Sequence, residues 1–258
     1  MPEEKSQVQQ EIVWGRNSVL ALIEEAPNRV KKILVARGAH HQSIRRIQEA
    51  CRACGIPLQQ VDRLTIERNC PGVSHQGVVA LISPAELHDV AELVRFLPDN
   101  SKPGLVLLLD HLQDPGNLGS VLRSAEAFGA SAVVIPKRRA ALPTGTVLKA
   151  SAGAAARIPI VTSSNLLSAL DQLEPEGFWS VAMDPQATEP LDGRPLPARM
   201  ALVVGSEGFG ISRPVENRCD ERRKIPMGGA SGSLNAAVAA SIAMYVWKRA
   251  IDKAGGAP

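Results

Sequence analysis

The chain has 258 residues, with 29 Lys and Arg against 26 Asp and Glu and 45% hydrophobic residues. That length allows one large or two modest domains of about 100–200 residues each, and the apolar content excludes wholesale disorder. A formal charge of +3 is too mild to mark a nucleic-acid binder, and four Phe, three Trp and one Tyr are too few for readers that stack bases on aromatic platforms.

Residues 12–83 read as a small α/β unit. NSVLALIEE at 17–25 has helical apolar spacing and stops at Pro27. Val30 to Ala36 ends in an apolar strand, Ser43 to Cys54 is a second amphipathic helix closed by Gly55, and strands follow at 56–61 and 77–82. Residues 84–103, with Pro84, Pro98 and Pro103, have the composition of a linker carrying one short helix over 87–96.

From Leu105 the style changes. LVLLL is a continuous apolar run, as in a strand covered on both faces of a parallel sheet. A Gly/Asn/Pro turn, a helix over 120–129, the strands AVVIP, WSVAM and ALVVG, and a long Ala-rich helix over 233–249 complete residues 104–258. No segment reaches the roughly 18 apolar residues of a membrane span. The polar start MPEEKSQVQQEIVWG lacks the apolar core of a secretory signal, so a cytoplasmic protein with no membrane partner is expected.

Three stretches hold candidate chemistry. The turn after the first buried strand contains Asn117 and leads to Arg123; the ordinary roles here are a left-handed turn Asn and a surface Arg. GSEGFG follows another buried strand, and its G-x-x-G-x-G spacing differs from the dinucleotide G-x-G-x-x-G, which disfavours a dehydrogenase. Glu207 lies there between glycines, either as a site carboxylate or as a solvated turn residue. KIPMGGASGSLNAAVA brings Ser233 and Asn235 to a helix start, where Ser most often caps the helix. Cys51, Cys54, Cys70 and His75 have a conceivable zinc spacing, but buried hydrophobic thiols fit better and no metal is expected. Residues 28–52 carry Arg29, Lys31, Lys32, Arg37, Arg45, Arg46 and Arg52 against Glu49, with His40 and His41 alongside. Further basic clusters fall at 137–139 and 222–224, and the recurrence points to a polyanion partner.

In order and spacing, DPGNLGSVLRSAEAFGA, LVVGSEGFGI and IPMGGASGSLNAAVA resemble the SpoU (TrmH-type) branch of the SPOUT RNA methyltransferases. GRNSVLALIEE and HQGVVALI resemble the L30e-like substrate-binding domain of bacterial 23S rRNA guanosine 2′-O-ribose methyltransferases. The resemblance implies a trefoil-knotted catalytic domain, S-adenosyl-L-methionine as cofactor and a homodimer with sites near its interface. It implies that Gly205, Ile225 and Leu234 line the cofactor pocket, with Met227 and Gly228 in the same loop. It assigns Asn117, Arg123, Glu207, Ser233 and Asn235 to the active site, and Arg29, Lys31, Lys32, Arg37, Arg45 and Arg46 fall on the RNA-binding domain.

A ribose 2′-OH must lose its proton as it attacks the sulfonium methyl group, and in-line positioning carries much of that catalysis. The first motif offers no His, Asp or Lys as an obvious base. A guanidinium titrates above about 12, so Arg123 is expected to clamp a neighbouring phosphate rather than take the proton. Asn117 and Ser233 would orient the ribose, and Glu207 would hold the Arg or a ribose hydroxyl. One departure is Ala237, where relatives often carry a second Ser. The implied reaction is methylation of a guanosine 2′-OH in 23S rRNA. The rivals are a tRNA or another rRNA nucleotide, or a non-catalytic ribosome-assembly protein.

Overall fold

The computed structural model describes residues 11–38, 42–83, 85–229 and 232–255. They fall into two compact units, residues up to Ala85 with Pro143–Ala156, and Glu86–Leu142 with the chain from Arg157 onward.

In the first unit β1 (Glu11–Trp14), α1 (Arg16–Glu25), β2 (Val30–Ala36), α2 (Gln42–Ala53), β3 (Leu58–Val61), α3 (Arg63–Asn69) and β4 (Val78–Ile82) follow in order. The sheet runs β1-β4-β2-β3, with β2 and β3 parallel and β4 antiparallel to both its neighbours. Ile44, Ile47 and Cys51 lie along the buried side of α2, at the spacing the sequence predicts. Two elements were not expected: the strand β1, which pairs along β4, and α3, whose cap position is Asp62.

The second unit opens with β5 (Leu87–Asp89) and a 3-10 helix over Val90–Phe96. These residues, expected to form a linker with one short helix, instead supply an edge strand and a buried Leu93 to the larger sheet. An Asp89–Glu92 capping box starts the 3-10 helix, and its apolar side joins the core.

Next come β6 (Gly104–Asp110), α4 (Pro115–Ala127) and β7 (Ala132–Pro136). The short helix α5 (Gly145–Ala150) belongs to the first unit, where Lys149 Nζ sits 4.9 Å above the Trp14 ring. The second unit resumes with β8 (Ile160–Ser163), α6 (Leu166–Leu173), β9 (Trp179–Met183), β10 (Arg199–Gly205), α7 (Arg213–Arg218), β11 (Glu221–Arg223) and α8 (Ala236–Ala254).

The seven strands run β11-β9-β10-β6-β7-β8-β5, and every neighbouring pair is parallel. Every residue of β6 and β7 is buried, as continuous apolar runs in a two-sided parallel sheet require. From β6 the chain builds outward through β7 and β8 on one side, then returns to lay β9 and β10 on the other. The crevice at the carboxyl ends of β6 and β10 is therefore a topological switch point, where open α/β sheets hold their ligands. No described helix is long and apolar enough to cross a membrane.

Candidate active site

Three loops meet at that crevice, and each has a local reason for its shape. α4 starts at Pro115, five residues before the expected start, because Asp114 caps it by accepting the Asn117 N–H at 2.7 Å. An Asp N-cap followed by Pro at the first helical position is a strong start signal. Asn117 is thus helical, so the ordinary alternative of a left-handed turn Asn does not apply.

After β10 the chain reverses tightly, with Ser206 and Gly210 bonded both ways through their backbones at 2.9 and 3.2 Å. A Cβ on Gly205 would come within 2.1 Å of Gly210 C, so glycine is required there by the turn itself. The turn projects Glu207 and leaves Phe209 95% exposed, a lone aromatic at its tip.

At the start of α8 the cap is Asn235 rather than Ser233. Its Oδ1 accepts the N–H groups of Ala237 at 2.9 Å and Val238 at 3.2 Å. The Asn235 Nδ2 donates to Asn117 Oδ1 at 2.9 Å and to Glu207 Oε1, to which Asn117 Nδ2 also donates at 3.1 Å. Asn117, Glu207 and Asn235 therefore form a closed triangle that ties the three motifs together. Both amides are spent on one oxygen of Glu207, so the carboxylate is held by asparagines and not by Arg123.

Two cavities flank this triangle and share the wall from Ser206 to Ile211. The first, about 670 Å³, is lined by Gly205, Ile225, Met227, Ser233 and Leu234, together with Met183 and Gln186. Gly228 is exposed and outside that lining. The second, about 750 Å³, is lined by Asn117 and Glu207 with His111, Arg139 and Arg213. Ser206 Oγ, on the common wall, is buried with no hydrogen-bond partner among the described residues. That orphaned hydroxyl, beside apolar Ile225, Met227 and Leu234, fits a ligand combining a flat apolar ring with polar groups.

Arg123 lies about 9 Å along the helix axis from Asn117. It is exposed and lines neither cavity. Ala237 is 4% exposed, so the position of the missing hydroxyl is inside the helix packing. His111 lies just before the matched motif text and was missed by the sequence reading; its place at the end of a buried strand was the available signal.

The basic residues divide. Lys31, Arg45 and Arg46 are exposed and Lys32 is half-buried, while Arg37 is exposed and paired with Asp62 at 3.4 Å. Arg29 is 9% exposed and donates to the Ser83 carbonyl at 3.0 Å, so it serves the fold rather than an RNA surface. Burial pulls its pKa down and pushes that of Glu11 up, each shift partly offset by the opposite charge. His40 and His41 lie outside the described residues. In the last cluster Arg223 is 1% exposed and donates to the Arg194 carbonyl at 3.1 Å, which removes it from any electrostatic surface. Burial pushes the Cys51 thiol up to about 11, and among the described residues no three His, Cys, Asp or Glu are grouped to hold a metal.

The model of the SpoU rRNA Methylase family matches residues 104–245, more than half of the chain. The chain belongs to this family. A second model, for RNA 2′-O ribose methyltransferase substrate binding, matches residues 12–88 of this SpoU methylase. A 23S rRNA (guanosine-2′-O-)-methyltransferase, RlmB, of Vibrio vulnificus is 35% identical over 91% of this chain and 95% of its own. A Staphylococcus aureus protein named for the TrmH family of tRNA/rRNA methyltransferases is 41% identical over 91% and 94%. The SpoU methyltransferase AviRb of Streptomyces viridochromogenes, solved with AdoMet, shares the fold at TM-score 0.74 and 24% identity, over 95% of this chain and 91% of that one. This SpoU methylase is an RNA 2′-O-methyltransferase that uses S-adenosylmethionine. When bound, that molecule supplies an electrophilic methyl group on a sulfonium sulfur.

Proposed function

We propose that the chain methylates the 2′-OH of a guanosine in 23S rRNA. The supporting observation is the pair of cavities divided by the Glu207 loop: one has the residues expected around S-adenosylmethionine, and the other is faced by Asn117 and Glu207. The choice of RNA rests on RlmB, matched over nearly its whole length with the substrate-binding segment included. In this reading Gly205, Ile225, Met227 and Leu234 hold the cofactor, with Gly228 shaping their loop. Ser233 orients the ribose, and Glu207 Oε1, fixed by two amides, leaves Oε2 for a ribose hydroxyl. Asn235 and Asn117 act by fixing that carboxylate. Arg123 grips a phosphate at the exposed edge of α4.

Residues 12–83 bind RNA through Lys31, Lys32, Arg37, Arg45 and Arg46, ahead of a catalytic domain at 104–258. The reading includes a cytoplasmic homodimer, supported by Val238 and Tyr245, large apolar side chains exposed on α8. It includes a trefoil knot, supported by the chain passing from edge strand β11 back to α8, which packs on α4 and β10. Mapping 2′-O-methylation in total RNA with and without the protein tests the assignment. One guanosine of 23S rRNA should lose its methyl group; a site in tRNA, or at another nucleotide, would redirect it. An Arg123→Lys enzyme with wild-type turnover would remove the bidentate clamp.

A further inference from the structure

The second cavity is faced by a titratable group that the three matched motifs do not contain. His111 follows the last residue of β6, and its Nδ1 lies 2.6 Å from Oδ1 of Asp110. Asp110 is 2% exposed, and its other oxygen accepts the Ser212 N–H at 2.7 Å. A buried carboxylate pinned by a backbone amide keeps the imidazole proton on Nδ1 and leaves Nε2 as the free acceptor.

The contact between neighbouring side chains depends on the His111 backbone, whose φ is +59°. A left-handed conformation carries a steric cost for a residue with a Cβ. Gly would adopt it without that cost, so strain is tolerated where an imidazole is set on the cavity wall beside Asn117 and Glu207.

We propose that His111 is the proton acceptor for the ribose 2′-OH, with Asp110 as its positioning residue. The inference rests on the 2′-O-methylation reading of the same site. As the hydroxyl oxygen bonds to the methyl carbon, the carbon–sulfur bond breaks and its electron pair stays on sulfur. The hydroxyl proton passes to Nε2, the imidazolium is stabilised by Asp110, and the proton leaves to water after the product. The charged groups lining the same cavity are Asp114 before α4, Arg139 after β7, Glu207 after β10 and Arg213 at the start of α7, while Asp110 is buried in contact with His111.

Single-turnover methyl transfer into unmodified rRNA, followed between about pH 5 and 8 where imidazoles titrate, tests the assignment. The wild-type rate should rise along an acid limb as the imidazole becomes neutral. His111→Asn accepts the left-handed backbone but has no imidazole. It should lower the rate by about 10²–10⁴-fold and erase the limb, with unchanged affinities for S-adenosylmethionine and RNA. Nitrogen NMR of the apoprotein gives a readout independent of turnover: His111 should carry its proton on Nδ1, and Asp110→Asn should abolish that preference. An Nε2–H tautomer in the wild type overturns the proposal even if His111→Asn does not fold. So does wild-type methylation with an unaltered rate and acid limb in His111→Asn, which leaves the functional reading standing. A wild-type protein that methylates no rRNA overturns both.

Discussion

Asn235 serves the helix and the site with different atoms, and the two roles can be separated. Asn235→Ser keeps an N-cap acceptor but loses the Nδ2 donor to Glu207 and Asn117. Its melting temperature should stay near wild type while methyl transfer falls by an order of magnitude or more. Asn235→Ala should in addition lose about 1 kcal/mol of stability, read by thermal or denaturant unfolding. The cysteines make a second prediction. Burial pushes Cys51 up to about 11 and Cys219 up to about 12, and also raises Cys70, whereas Cys54 is exposed. Near pH 8 a thiol reagent should therefore label Cys54 quickly, the half-buried Cys219 more slowly, and Cys51 and Cys70 only as the protein opens. The raised Cys51 thiol contributes stability that is fully present below its ordinary value near 9 and should be lost as pH rises through about 11. The order of the motifs gave reason to group Asn117, Arg123, Glu207, Ser233 and Asn235, and of these the hydrogen bonds join Asn117, Glu207 and Asn235. That Asn117 and Asn235 bind Glu207, rather than the ribose or Arg123, was not legible, since side-chain partners across 118 residues leave no spacing signal.

Among elements, the buried strands and amphipathic helices could be read because their periodicity records burial directly. β5 and the 3-10 helix after it were obscured by the Pro residues around them, which also mark linkers. β11 was hidden because its outward sign is a run of charge. Its buried Arg223 donates to the carbonyls of Pro190, Leu191 and Arg194 and pairs with Glu221 at 3.1 Å. The guanidinium thus fastens residues 190–194 to the strand that leads into the Ile225 wall of the cofactor cavity. Arg223→Met should cost about 1–3 kcal/mol for the acceptors it leaves unpaired, measured by denaturant unfolding. Cofactor affinity should fall with it, although Arg223 lines neither of the two cavities.

On the scale of the whole molecule, the net charge of +3 hides a division of labour. Arg45 and Arg46 point outward from α2 between the buried Ile44 and Ile47, whereas Arg29 and Arg223 are internal fasteners. Arg45→Glu with Arg46→Glu should weaken RNA binding and flatten its dependence on salt, because fewer counterions are released. Arg29→Gln should instead lower stability and leave the salt slope intact. Composition could not make this distinction, because it counts a buried guanidinium and a solvated one alike. The Asn117–Glu207–Asn235 triangle also bears on the order in which the protein is made. Asn235 is synthesised after both of its partners, and its donor reaches Glu207 only once α8 has begun to form. A growing chain carries Asn117 and Glu207 well before it can hold the carboxylate with its second amide. A chain that stops short of α8 should therefore leave Glu207 without its second amide donor, and methyl transfer is expected only from chains that have folded α8.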